Sequence, residues 1–459
     1  DAKIYCPLYK SFASRTAILV SVIQQALKHT KGVFHMNPSD FYDVIVAGGG
    51  FSGVAAAIAA AREGMSVLLI EKSNCLGGAA ANCLVNPFMP YWTKINEKKV
   101  NLCQGIFLEI CEELQKNDGI HKNGMEFDEE ILKLVLNRMV LKAGVRLLFH
   151  SCLADAERDQ EQIRSVTVLN KSGRQTYRAH CFIDATGDAD LAVLCGVPFR
   201  LGRDEDRLCQ PMTLCFRIAG VDIDKRRHGF QKNQQLYKQW RKEGKIKNPR
   251  EDILLFETLQ DGVIHVNSTR IVKRNPVDAW DRTQAEIEAR EQVFELFRFL
   301  KENAAGFENS RLLSTAMEIG VRESRRIDGV YTLTAEDLKA CTRFEDAIAL
   351  GNYDIDIHNP SGTGTSHYLF PDAQYYTIPY RCLVPLDTQN LLVTGRCIST
   401  THEAQASIRI MPIVCCLGQA AGVAAAVAIK DKTSVRHVDV PQVQMLLKKA
   451  GAVTDDPTE

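Results

Sequence analysis

Residues 40–72 read DFYDVIVAGGGFSGVAAAIAAAREGMSVLLIEK. Val44 to Ala47 form a continuous apolar run, the pattern of a central parallel strand buried on both faces. Gly48, Gly50 and Gly53 follow as G-x-G-x-x-G. The first glycine permits the tight turn, the second lets a pyrophosphate approach the backbone, and the third lets the next helix pack closely on the strand. Phe51 and Ser52 open that helix, whose N-terminus presents unpaired N–H groups and a positive dipole end. Ala57 and Ala60 continue its small-residue face. Ser66 to Ile70 read as a second strand, which delivers Glu71 where a ribose hydroxyl needs an acceptor. A glycine triplet alone is weak evidence. In register with strand, helix, strand and terminal acid, it reads as a dinucleotide-binding unit.

The rest of the composition is that of an ordinary enzyme. Length, 459 residues, favours two domains. Lysine plus arginine equal aspartate plus glutamate at 56 each, so charge gives no sign of nucleic acid or an anionic membrane as partner. The 15 cysteines lack C-x-x-C and zinc-finger spacing, and many sit in apolar runs, which suits a reducing cytoplasm and gives no metal site. In residues 1–35, RTAILVSVIQQALKHT holds an apolar stretch too short to span a bilayer. This segment is expected to be an extension ahead of a Rossmann unit that begins near Met36. Ile413 to Ile429 is mostly alanine and glycine and contains Gln419, so it is read as a core helix.

Three later stretches choose the dinucleotide. CFIDATGDADLA (181–192) is an apolar strand ending in Ala185-Thr186-Gly187-Asp188. NLLVTGRCIS (390–399) is another strand, followed by Gly395 and Arg396. MPIVCCLGQAAGVAAAVA (411–428) is a helix with small residues at Gly418, Ala421, Gly422 and Ala425. Together they resemble the glutathione-reductase-like Rossmann flavoproteins, and within them the family called simply FAD-dependent oxidoreductase. EKSNCLGGAAANCLVNPFMP, RESRRIDGVYTLTAEDL, GNYDIDIHNPSGTG, YTIPYRCLVP and LLVTGRCISTTHEAQASIRIMP match it in order, from about residue 43 to 428. The resemblance implies FAD held by Gly48, Gly50, Phe51, Ser52, Gly53, Glu71, Lys72, Gly77, Gly78, Ala185 to Asp188, Gly395, Arg396, Met411 and Gly418. The turn GGAAAN has no histidine, so a non-covalent flavin is expected.

The expected fold is α/β: a Rossmann-type FAD-binding domain with a parallel sheet and an inserted β-meander, plus a mixed α+β substrate or cap domain. The FAD domain is expected at 36–204 and 381–459, with the cap at 205–380. Asp128 is expected to cap a helix whose apolar face carries Ile131, Leu134, Val135 and Met139. VRLLFHSCL, IRSVTVLN and RQTYRAHCFIDATG read as the meander, with KSGR as a turn. DAWDRTQAEIEAREQVFELFRFLKEN reads as a cap-domain helix, with Asp278 or Asp281 at its start.

Chemistry is expected at the domain junction. His402, between the pyrophosphate turn and the last helix, is the favoured general base; His358, beside Asp354 and Asp356, is the alternative. Glu403 is a further carboxylate nearby. Arg409 is a candidate for binding a substrate oxyanion or carboxylate, or only the flavin; Arg381, also a catalytic candidate, follows the aromatic cluster Tyr375, Tyr376 and Tyr380, which either lines a pocket or fills the junction. Arg322, Arg325 and Arg326 read as ion-pair partners of Glu318, Glu323 and Asp328. The function that follows is hydride transfer between the carbon of a small polar alcohol or amine and flavin N5, with electron acceptor and oligomeric state open. A fumarate-reductase-like C=C reductase is the alternative. A flavin disulfide reductase fits less well, because Cys75 and Cys83 are wrongly spaced for its redox pair. A non-catalytic flavoprotein is the remaining class.

Overall fold

The computed structural model describes residues 41–458, so the expected N-terminal extension lies outside the described residues. In chain order, strand β1 (Phe41–Ala47) leads into helix α1 (Phe51–Arg62) and β2 (Val67–Ile70). Helix α2 (Glu129–Lys142) precedes β3 (Arg146–Leu148), β4 (Cys152–Asp159), β5 (Gln162–Asn170) and β6 (Gly173–Asp184). There follow β7 (Phe216–Ala219), α3 (Ile223–Lys242), β8 (Leu255–Glu257), β9 (Ile264–Val266), α4 (Ala279–Asn303) and β10 (Arg311–Thr315). Strand β11 (Leu391–Val393) and helices α5 (His402–Ile408) and α6 (Met411–Lys430) complete the elements used below.

The first layer is the seven-stranded sheet β3-β2-β1-β6-β5-β4, with β11 added beside β6. β1, β2 and β3 pair in parallel, as do β6 and β11, whereas β4, β5 and β6 form the antiparallel meander. β6 serves both purposes. Its first half pairs with β5 and its last residues lie beside β11, so the strand ends in Ala185–Asp188 next to the glycine turn. VRLLFHSCL spans two elements, β3 and the start of β4, and not one meander strand.

Close backbone contact fixes the helices on this sheet. A Cβ at Gly418 of α6 would lie 1.9 Å from the Ser52 carbonyl oxygen, and one at Gly422 would lie 2.2 Å from that of Ala56. Glycine at both positions lets α6 touch the backbone of α1. By length and composition α6 is apolar enough to cross a membrane, with mean hydropathy 2.0, but it is buried in the core. Asp128 caps α2 by accepting from Glu130 N at 2.8 Å and Ile131 N at 3.1 Å. Its buried face is Leu132, Val135, Leu136, Met139 and Val140, while Leu134 is exposed and Ile131 is only half-buried.

The second layer is the antiparallel sheet β8-β9-β7-β10. Its two faces follow from strict alternation. Leu214, Phe216 and Ile218, with Ile264 and Val266, pack on the buried face of α4 through Ala285, Ala289, Val293 and Leu296. Thr213, Cys215 and Arg217 point the other way, toward the Rossmann layer. Arg217 stands opposite His265 in the sheet and forms a buried ion pair with Glu129 in the first turn of α2. Asp278 caps α4, accepting from Trp280 N at 3.0 Å and Asp281 N at 2.9 Å. The cap assignment of 205–380 reaches too far. Leu333, Ala335, Leu338, Ile348, Ala349 and Tyr376 share one apolar core with α1 and α6, so the chain from about residue 325 has rejoined the first layer.

Candidate active site

The three glycines are demanded by different neighbours. Gly48 has φ +101°, and a Cβ there would lie 2.4 Å from the Ala185 carbonyl oxygen; one at Gly53 would lie 1.8 Å from that of Gly48. Both are required inside the chain. Gly50 differs, since its Cβ would meet nothing nearer than Gly78 Cα at 3.9 Å. That space belongs to the cavity, so the protein itself does not require glycine at 50. A phosphate approaching the backbone does. The helix ends agree. α2, α3 and α4 are capped by Asp128, Asp222 and Asp278, whereas α1 and α6 have no side-chain cap. Their N-termini lie at the same cavity, where orphan N–H groups and the dipole favour negative charge.

That cavity, about 530 Å³, runs from the glycine turn to the polar face of the cap sheet. It is lined by Gly48, Gly50, Phe51, Ser52, Glu71, Lys72, Gly77, Gly78, Ala185, Thr186, Gly187, Asp188, Gly395, Arg396 and Met411. Glu71 is buried; its carboxylate accepts from Gly49 N at 2.5 Å and Ser73 N at 2.8 Å. Asp188 accepts from Arg396 at 2.5 Å and from the Ser324 hydroxyl at 2.6 Å, and the Arg396 Nε is buried without a partner. Burial opposes ionisation of Asp188, but the Arg396 charge and the Ser324 hydrogen bond outweigh it and hold its carboxyl below the usual range. These residues fit a nucleotide cofactor: open backbone at Gly50, two free helix N-termini and an acid placed for a ribose. Gly53 and Gly418 do not line the cavity, and their task is helix packing.

At the other end, Asp356 gathers the polar groups. Its Oδ2 lies 3.1 Å from His358 Nε2, 3.3 Å from Arg409 Nη2 and 3.3 Å from the Tyr353 hydroxyl, while its buried Oδ1 has no hydrogen-bond partner. Arg270 Nη2 is 3.1 Å from His358 Nδ1. A guanidinium only donates, so Nδ1 must accept and the ring proton sits on Nε2, facing Asp356. Burial and the Arg322 charge push His358 well below its ordinary value, and the ring is neutral. Burial works against ionised Asp356 too. The His358 hydrogen bond and the Arg409 and Arg322 charges prevail, and its carboxyl lies well below the carboxylate range. The Thr365 hydroxyl, also on the cavity wall, is 3.4 Å from His358 Nδ1. Asp354 takes the His367 ring nitrogen as its partner.

Two sequence candidates for chemistry are elsewhere. His402 is the first residue of α5, which Thr401 caps, and its Nδ1 is turned 2.8 Å from the buried Glu323; it does not line the cavity. Arg381 is half-exposed and paired with Asp346 at 2.9 Å, outside the cavity. Glu403 is exposed. Tyr376 and Tyr380 are buried in the first-layer core rather than at a domain junction, bonded to Ser407 Oγ and the Val435 carbonyl, both at 2.6 Å. Arg326 pairs with Glu323 as expected, but Arg325 pairs with Asp190 at 3.3 Å and Asp328 with Arg200 at 3.0 Å. Arg322 has no carboxylate partner among the described residues and lines the cavity. Tyr353, Arg250 and Thr365 also line it, and the sequence reading did not single them out. Tyr353 adjoins the quoted Asp354 and Asp356; for Arg250 no local pattern was present.

Cys75 and Cys83 do not form a redox pair. The Cys75 thiol bonds Asn82 Oδ1 at 3.2 Å and that of Cys83 the Ile319 carbonyl at 3.7 Å, and burial raises both thiols. A nucleophilic cysteine needs the opposite shift.

A Rossmann layer with a glycine turn, an acid at the end of β2 and a cap sheet over a shared cavity defines a flavoprotein oxidoreductase. Residues 43–447 match the family described as FAD dependent oxidoreductase, and the chain belongs to that family; it is an enzyme and its cofactor is FAD. Digeranylgeranylglycerophospholipid reductase 1 of Methanococcoides burtonii is 24% identical over 197 residues, 40% of this chain and 46% of that protein, so the chain matches about half the length of that relative. Among solved structures, a geranylgeranyl bacteriochlorophyll reductase-like protein from Thermoplasma acidophilum is 13% identical with a TM-score of 0.46, over 90% of this chain and 84% of the other. p-Nitrophenol 4-monooxygenase from Pseudomonas putida DLL-E4 is 11% identical with a TM-score of 0.42, again over 90% and 84%.

Proposed function

We propose that this enzyme transfers a hydride between a small polar organic substrate and its flavin, with the substrate bound between the polar face of the cap sheet and the segment 353–367. The observation that carries this reading is the continuity of the cavity from the glycine turn to Asp356, His358 and Arg409. Bound FAD supplies a hydride acceptor at N5. The chain supplies proton handling and orientation. His358 is neutral, and its Nδ1 lone pair, approached by both Arg270 and the Thr365 hydroxyl, takes a proton relayed from the substrate hydroxyl or amine through Thr365 as Arg270 gives up Nδ1 and keeps its Glu251 and Thr365 partners. Asp356 fixes the tautomer and stabilises the imidazolium that results. Tyr353 and Arg409 hold Asp356 in place.

The test is anaerobic: the oxidised holoprotein is mixed with alcohols, hydroxy acids and amines while the flavin band near about 450 nm is followed. Bleaching by one of these classes supports the reading. A flavin that none of them reduces, but that returns electrons to an activated alkene after chemical reduction, would favour the C=C reductase instead. The partial similarity to a protein named as a reductase keeps that second reading in play. Oxidation of an alcohol or amine requires a separate electron acceptor to regenerate the flavin, whereas reduction of an alkene requires a separate electron donor.

A further inference from the structure

Four guanidinium groups meet near Asp356. Arg250 Nε is 3.1 Å from Asp252, Arg270 Nη1 is 3.1 Å from Glu251, and Arg409 Nη2 is 3.3 Å from Asp356. Arg322 bonds only neutral oxygens, the Pro211 carbonyl at 2.8 Å and the Thr213 hydroxyl at 2.5 Å. Arg250, Arg270 and Arg409 each have a carboxylate within ion-pair distance, and Asp354 beside Asp356 is taken by His367. Among the described residues, Arg322 is the guanidinium of this group left without one, and an unpaired cation in a buried site is costly. Arg322 is half-buried by exposure although it lies deep in the fold, because its free surface opens into the cavity. Burial, with the neighbouring Arg409 and Arg250 charges, pushes it down to about 9, as expected of a cation lacking a counter-charge. The Arg409 Nε is buried and unpartnered as well. Around these groups the wall is apolar, with Leu254, Phe256 and Val321. The glycine-turn end has its own donors in Arg396, whose Nε is buried without a partner, and in the two uncapped helix N-termini.

We propose that the substrate is an organic carboxylate with an apolar body, and that Arg322, assisted by Arg409, receives its carboxylate in the cavity beneath the cap sheet. This rests on the flavin-linked reaction proposed above and names its substrate class. Arg322 is a planar, bidentate donor, the geometry a carboxylate requires.

The test is calorimetric titration of the oxidised holoprotein with benzoate, benzamide and inorganic phosphate. Benzoate binds saturably, and benzamide, its uncharged isostere, binds about 10-fold or more weakly. Arg322→Met weakens benzoate by about 10- to 100-fold with FAD content unchanged, and Arg322→Lys recovers part of the loss. Equal binding of benzoate and benzamide would overturn the proposal, as would phosphate binding as tightly as benzoate, or no benzoate binding at all. Loss of FAD from both Arg322 variants would assign this arginine to the flavin and overturn it too. The hydride-transfer reading fails separately: if carboxylates bind but no carboxylate, alcohol or amine reduces the flavin, the binding site stands and the reaction does not.

Discussion

Replacing Glu71 with alanine tests how the cofactor end is built. The carboxylate is buried and accepts two backbone hydrogen bonds, from Gly49 N at 2.5 Å and Ser73 N at 2.8 Å. It therefore ties the glycine turn to the end of β2 before any nucleotide arrives. A hydrogen bond to a charged group is worth roughly 1.5–3 kcal/mol. Alanine removes both and leaves two inward-facing N–H groups, so the apoprotein should lose about 3–6 kcal/mol. A ribose hydroxyl would use a remaining lone pair of the same carboxylate. Its loss should weaken FAD by a further factor of about 10 to 100. Structure and affinity thus fall together, and Glu71→Ala is not the clean binding variant that its sequence position suggests. Urea unfolding of the apoprotein measures the first quantity, and quenching of FAD fluorescence on titration measures the second. Unchanged apoprotein stability would refute the two hydrogen bonds as anchors of the turn. Unchanged FAD affinity would refute the acid as a ribose acceptor.

The histidines separate cleanly. His358→Ala should slow flavin reduction by substrate about 10²- to 10⁴-fold, Thr365→Val should slow it less, and His402→Ala should keep the rate but lower stability by about 1–3 kcal/mol through the lost hydrogen bond to Glu323, which keeps Arg326 and the Gln210 N–H as partners. Because His358 titrates well below its ordinary value, stopped-flow reduction should show no loss of rate as pH falls through about 6.5. Gly418→Ala forces a Cβ against the Ser52 carbonyl; thermal melts should show overpacking of about 1–3 kcal/mol, and absorbance ratios should show lower FAD occupancy, since Ser52 opens α1 at the cavity. Asp184 is fully buried and pushed up to about 6 by burial. Its folded value lies above its unfolded one, so the folded state holds the extra proton between about pH 4 and 6 and stability falls as pH rises through that window; Asp184→Asn should flatten this slope, worth roughly 3 kcal/mol, in urea melts at stepped pH. Asp356 has the opposite sign: its contribution is present above about pH 4 and is lost as pH falls below it.

Much of the cofactor end was legible because most residues there answer a local demand. Gly53 is forced by the nearby Gly48 carbonyl, and Asp128 and Asp278 cap their own helices; Gly48 answers the distant Ala185 carbonyl at the end of β6, but its place in the glycine motif made it legible all the same. The α2 face was misread by one position because EILKLVLNRMVL offers two nearly equivalent apolar stripes, and only packing into the core shared with α1 and the helix Ile106–Lys116 selects Leu132 and Leu136 over Leu134. The catalytic end was less legible, since its partners come from distant segments. Arg325 meets Asp190 across β6, and His402 was attractive only by sequence proximity to the last helix. The Thr401 cap sets the rotation of α5 and turns that ring to Glu323. The cap sheet escaped notice because its strands hold only three to five residues and long helices part β7 from β8 and β9 from β10. Without the sheet, Thr213 and Cys215 have no visible relation to Arg322, and the unpaired guanidinium looks like one more surface ion pair.

The central claim is that a carbon-bound hydrogen of the substrate leaves as hydride to the flavin in this cavity. Its most direct test is single-turnover, anaerobic flavin reduction by a substrate found in the bleaching screen, compared with the same compound carrying deuterium at the carbon to be oxidised. Deuterium should slow bleaching in the wild-type protein, and the effect should persist in the slower Thr365→Val variant. Bleaching at the same rate with hydrogen and deuterium in both proteins would contradict it.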